Sequence, residues 1–147
     1  MAGAERTGDY AGDVAPADAW TMMKDGAVLV DVRTRPEWTF VGTVAPEAGM
    51  ADPVGLEWQV YPAMQVDADF ATKLSQQVEA RGGSKETPLV FLCRSGVRSL
   101  AAAKAMSGAG HPNSYNIAGG FEGDPDGEGH RGRVNGWKAP GLPWRQG

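Results

Sequence analysis

The chain has 147 residues, 41% of them hydrophobic, which suits one domain able to bury about 70% of its unfolded surface and leaves no room for a second folded unit. Its net charge of -4 is spread over both signs with no basic block or stripe, which argues against nucleic acid as a primary partner. A single cysteine excludes an internal disulfide and suits a reducing compartment, so a cytoplasmic protein is expected.

Met1 to Gly12 is small and polar, with charges at Glu5, Arg6 and Asp9 and no apolar region of the signal-peptide kind. It is expected to be a disordered tail ahead of a domain spanning residues 13–147. No apolar run approaches the ~20 residues of a membrane span, so no membrane partner is expected. Val14 to Lys24 reads as a helix, with Pro16 and Asp18 near its start and Ala19, Trp20, Met22 and Met23 on one broad apolar face. Ala27 to Val32 is a strand. Asp31 and Arg33 stand at its C-terminal end, which in open α/β sheets faces the ligand crevice. There they either brace the surrounding loops as an ion pair or touch substrate directly.

Pro36 to Val41 is a short helix with Glu37 in its first turn. Val54 to Tyr61 alternates enough to be a strand, with Trp58 and Tyr61 available to wall the pocket and core packing the favoured role for Trp58. Asp67 to Glu79 is an amphipathic helix that places Phe70, Leu74 and Val78 on one face.

The stretch from Pro88 to Met106 carries the chemistry. Leu89 to Leu92 is a continuous apolar run, as expected of a strand buried on both faces, and Ser99 to Met106 is an Ala- and Leu-rich helix. Cys93 ends the strand, Gly96 allows a tight turn, and Ser99 sits where a helix N-cap belongs. Loop and helix N–H groups would then converge on one spot beside the Arg94 and Arg98 guanidinium groups. A thiol in that setting is expected to ionise more readily than a free cysteine and to lie against an anion site. A lone cysteine after an apolar strand is otherwise an inert buried thiol, a role that needs neither the glycine nor the arginines.

Ser114 to Ile117 makes a final short strand. Gly119-Gly120 behind it implies close backbone approach to the Cys93 loop, with Phe121 as apolar cover. Gly123 to Gly136 is acidic and glycine-rich. It lacks calcium-loop order, and one histidine makes no zinc site, so no metal is expected and the segment is a solvated loop or a lid whose His130, Arg131 or Arg133 reaches the pocket. His111, beside Pro112 in a turn, carries no functional reading. Trp137 to Trp144 is a docked C-terminal segment. The alternation of helices and strands gives an α/β fold with a central parallel sheet and helices on both faces.

Three stretches in order, Leu29-Val30-Asp31-Val32-Arg33-Thr34-Arg35-Pro36-Glu37-Trp38, Cys93-Arg94-Ser95-Gly96-Val97-Arg98-Ser99 and Ile117-Ala118-Gly119-Gly120-Phe121, resemble the rhodanese-type sulfurtransferases. The resemblance implies a single rhodanese-like domain in which Cys93 is the nucleophile and sulfur carrier. It implies that Arg94, Ser95, Gly96, Val97, Arg98 and Ser99 bind substrate, with Asp31 and Arg33 in a bracing role. The implied partners are a small anionic sulfur donor of the thiosulfate kind and a cyanide, thiol or protein acceptor, with no cofactor. Arg98 has an alternative partner in Asp31 or Glu37. The chain departs from the family at Gly42-Thr43-Val44-Ala45-Pro46-Glu47-Ala48-Gly49, where the family's histidine is absent. A phosphatase or arsenate reductase of the same architecture, and a non-catalytic binding module, are the competing readings; the intact cysteine counts against the last.

Overall fold

The strands Val28–Asp31 and Leu89–Leu92 pair along their full length, Val28 opposite Leu89 and Asp31 opposite Leu92, and the rest of the sheet grows from that parallel pair. The computed structural model describes residues 10–46, 50, 52–60, 65–94, 96–123, 128, 136–138, 142 and 144–145. In chain order the elements are β1 (Gly12–Val14), α1 (Pro16–Lys24), β2 (Val28–Asp31), α2 (Arg35–Phe40), β3 (Thr43–Val44), β4 (Val54–Gly55) and β5 (Gln59–Val60). They continue with β6 (Gln65–Val66), α3 (Phe70–Ala80), β7 (Leu89–Leu92), α4 (Val97–Gly108), β8 (Ser114–Ile117) and β9 (Trp144–Arg145). The main sheet has five strands in the order β1-β8-β7-β2-β4, all parallel.

Strand alternation divides the core in two. Leu29, Val90, Leu92, Tyr115 and Ile117 pack on one side with Ala19, Trp20, Met22 and Met23 of α1. Val28, Val30, Leu89 and Phe91 pack on the other with Phe70, Leu74 and Val78 of α3 and Ala102, Ala103 and Met106 of α4. The i, i+4, i+8 spacing in α3 and the i, i+1, i+4 spacing in α4 give each helix the one apolar face that such a layer requires. The fold is therefore α/β, a central parallel sheet with helices on both faces. Among the described residues no helix is long and apolar enough to cross a membrane.

Three expectations change. The expected tail reaches too far: Tyr10 and Ala11 are buried, and Gly12–Val14 forms β1 on the edge of the sheet beside β8. Its alternation is too short to register in sequence, and the partner that stabilises it lies more than a hundred residues away. Val14 accordingly belongs to this strand and not to α1. The strand expected over Val54 to Tyr61 is two short pieces, β4 pairing β2 and β5 pairing β6 in a separate antiparallel ribbon. Trp58 is half-buried and packs against the core, its ring 5.0 Å from Phe70 in an edge-to-face contact. Tyr61, Ser95, His130, Arg131 and Arg133 fall outside the described residues.

The C-terminal segment docks twice. Trp144 and Arg145 pair antiparallel with Val44 and Thr43. Trp137 is fully buried, its ring 5.8 Å from Trp20 in an edge-to-face contact. Trp137→Ala empties that space and is expected to lower stability by about 3–5 kcal/mol, read as a fall in the urea midpoint.

Candidate functional site

Cys93 follows directly on β7, and the chain then turns into α4 through Gly96, which has φ 108. A Cβ there would meet nothing closer than 3.6 Å, so it is the backbone conformation, not lack of space, that calls for glycine. Gly96, not Ser99, is the N-cap of α4, which corrects the sequence expectation. Ser99 lies inside the first turn, fully buried, because its hydroxyl is held by other groups. Its Oγ is 3.2 Å from Cys93 Sγ and 2.5 Å from Asn116 Oδ1. The Gly96 N–H donates to the same sulfur at 3.1 Å. Cys93 is 1% exposed and unpaired, with its sulfur held between a backbone donor and a hydroxyl at the head of a helix. Val97, the first residue of α4, is 76% exposed.

The segment after β8 closes over this loop. Phe121 N–H donates to Cys93 O at 2.7 Å, and Glu122 and Gly123 N–H donate to Arg94 O at 3.0 and 3.1 Å. Gly120, at φ 64, makes this possible: a Cβ would lie 2.5 Å from Cys93 O and 2.6 Å from Arg94 C. The close approach inferred from the paired glycines is thus found, and Phe121 is fully buried as cover.

Asp31 and Arg33 form a buried bidentate pair, with Arg33 Nε donating to Oδ1 at 2.9 Å and Nη2 to Oδ2 at 2.6 Å. Nη2 also donates to Gly42 O at 2.7 Å, and the guanidinium lies 4.4 Å from the Phe121 ring centroid. The pair braces the loop after β2 against the segment that covers Cys93. Removing one partner of such a pair costs about 3–5 kcal/mol because the other charge is left buried.

The two loop arginines do not both stand free. Arg98 donates to Glu37 through Nη1 at 2.7 Å and Nη2 at 3.0 Å, a two-pronged bridge from α4 to α2. Its charge also lies within electrostatic reach of Cys93 and Asp31. Arg94 is half exposed and sits 3.6 Å from Glu122. Glu37, Val41, Arg94, Arg98 and Glu122 line a cleft of about 370 Å³ in which each cation faces a carboxylate. Sequence reading overlooked Asn116, whose signal was a polar residue in a strand buried along its whole length.

The loops after β2, β7 and β8 thus meet at the C-terminal edge of the sheet. The family model described as Rhodanese-like domain matches residues 15–124. The chain belongs to the rhodanese-like domain family. A crystal structure of Rv0390 from M. tuberculosis is 44% identical, with a TM-score of 0.80, covering 94% of this chain and 99% of that one. An uncharacterized protein of Rickettsia conorii is 35% identical over 136 residues, 90% of this chain and 96% of its own length. The thiosulfate sulfurtransferase GlpE of Haemophilus influenzae is 26% identical over 114 residues, 76% of this chain and 85% of its own. The polysulfide-sulfur transferase homodimer of Wolinella succinogenes shares the rhodanese-like fold at 20% identity, with a TM-score of 0.56 over 93% of this chain and 79% of that one.

The charge pair across the rhodanese-like site has a pH signature. Burial raises the Glu37 carboxyl, but hydrogen bonding and charge from Arg98, together with hydrogen bonds from Thr34, outweigh it and hold the group below its ordinary 4.5. Because the folded carboxyl is the stronger acid, the unfolded chain takes up the proton first as pH falls. The pair's contribution is complete above 4.5 and is lost as pH drops through the lower folded value. The urea midpoint of the native protein is expected to fall more steeply from about pH 5 to about pH 3 than that of Glu37→Gln.

Proposed function

We propose that this chain is a sulfurtransferase that carries a sulfane sulfur on Cys93, taken from a small anionic donor of the thiosulfate kind. The observation that carries the reading is the seat of the Cys93 sulfur, which accepts from the Gly96 N–H and lies against the Ser99 hydroxyl at the N-terminus of α4. Donors so placed stabilise negative charge on Sγ in the thiolate that attacks the donor and that the acceptor regenerates. The 26% identity to a thiosulfate sulfurtransferase supports the same assignment.

In the first half-reaction the Cys93 thiolate attacks the outer sulfur of the donor. A new S–S bond forms, the donor's S–S bond breaks, and sulfite departs with that bond's electron pair, leaving a persulfide anion on Cys93. A cyanide or thiolate acceptor then takes the outer sulfur and returns the Cys93 thiolate. No oxidant or cofactor enters. The near-complete burial of Cys93 favours donors that present a terminal sulfur, since a bulky group cannot reach it. Arg94, the more exposed of the two loop arginines, meets the donor's anionic end, while Arg98 holds the loop to α2 through Glu37. A sole free thiol that must stay reduced suits the cytoplasm.

Mass spectrometry of the purified protein after thiosulfate treatment is expected to show one added sulfur, removed by cyanide with formation of thiocyanate. Cys93→Ser is expected to show neither. Arg94→Ala is expected to raise the KM for thiosulfate by about tenfold with kcat little changed, as for loss of one charge-assisted contact to the donor. Faster hydrolysis of an aryl phosphate than desulfuration of thiosulfate would transfer the assignment to the phosphatase reading.

A further inference from the structure

Four polar groups form a chain from the reactive sulfur to the edge of the sheet. Cys93 Sγ lies 3.2 Å from Ser99 Oγ, which lies 2.5 Å from Asn116 Oδ1. Asn116 Nδ2 donates to Asp13 Oδ1 at 3.1 Å, and that oxygen also accepts from the Tyr10 hydroxyl at 2.8 Å. Ser99 is fully buried and Asn116 5% exposed.

Ser99 has one hydroxyl proton and two acceptors that want it. The orientation of Asn116 is fixed from outside. A carboxylate only accepts, so Asp13 must face the amide N–H side, and the amide oxygen is thereby turned toward Ser99. Asn116 Oδ1 and Cys93 Sγ therefore compete for a single donor.

We propose that Asn116 is a positioning residue that sets the reactivity of Cys93 by competing for the Ser99 proton. With Cys93 as the thiol, the Ser99 O–H points to Asn116, its shorter contact. With Cys93 as the thiolate, the O–H rotates onto the sulfur, and Asn116 Oδ1 gives up that bond. Once Sγ is the inner, uncharged sulfur of a persulfide, the hydroxyl turns back to Asn116 and the loop N–H groups hold the outer sulfur. The hydroxyl thus follows the negative charge, and every formation of the thiolate costs the Asn116 bond. The persulfide part of this cycle rests on the function proposed above; the competition in the free enzyme does not.

The test is the rate of Cys93 alkylation by iodoacetamide at fixed neutral pH, followed by mass spectrometry, for the native protein, Ser99→Ala, Asn116→Leu and the double variant. Ser99→Ala removes the donor to the thiolate and is expected to slow alkylation by about tenfold. Asn116→Leu removes the competitor and is expected to speed it several-fold. In the Ser99→Ala background the same Asn116→Leu change is expected to do nothing, because the coupling runs through the hydroxyl. Asn116→Val, which suits a strand, replaces the Leu variant should that one not fold. A slower or unchanged rate for the Asn116 variant overturns the proposal. So does a rise of equal size with and without Ser99, which would mean a loosened loop that merely admits the reagent. No sulfur donor is used, so failure here is separate from failure of the thiosulfate assay.

Discussion

The Cys93 carbonyl accepts the Phe121 N–H at 2.7 Å while the Arg94 carbonyl accepts from both Glu122 and Gly123. These bonds tie the loop after the central strand to the segment after β8, and the remaining features of the site take their positions from them. The contact has no room for a side chain at Gly120. It seats Phe121 beneath the Arg33 guanidinium, and Arg33 in turn fixes Asp31 and the Gly42 carbonyl. Loop, cover and brace form one connected unit around the sulfur.

The charge pattern around the sulfur follows from where the helices begin. Arg98 is two residues past the Gly96 cap and points to α2, where Glu37 lies in the first turn and completes a capping box with Thr34. The guanidinium thus links two helix N-termini that would otherwise present like-signed ends to each other. The site is less positive than a count of its arginines suggests. The directed contacts to the Cys93 sulfur, from the Gly96 N–H and the Ser99 hydroxyl, act at short range, where solvent and salt screen poorly.

Much of this was legible in sequence where local pattern and tertiary environment agree. The runs Leu89 to Leu92 and Ser114 to Ile117, the apolar stripe of α3 and the paired glycines before Phe121 each encode their surroundings in a few adjacent residues. The errors fall where a distant partner decides. β1 is three residues whose pairing is supplied by β8, and Val54 to Tyr61 breaks in two because Leu56 and Trp58 bond back to Asp31 and Val32 and not along one ladder. Ser99 looked like a cap because its neighbours are those of a helix start; the glycine before it takes the cap while the sulfur and Asn116 take the hydroxyl. Arg98 meets Glu37, one of the two acids its sequence reading offered, across a separation of 61 residues.

The pairing of β1 with β8 bears on how the protein is made. Asp13 and Asn116 are bonded across 103 residues, so β1 is synthesised long before β8, the strand it pairs with. Cys93 is synthesised before the strand that carries Asn116 and before the Gly120 segment that covers it. During that interval the thiol is open to oxidants and to other thiols, and the first edge of the sheet has no neighbour. Burial of the sulfur is thus completed by a segment made after it, once β8 has docked and the Gly120 turn lies over the Cys93 carbonyl.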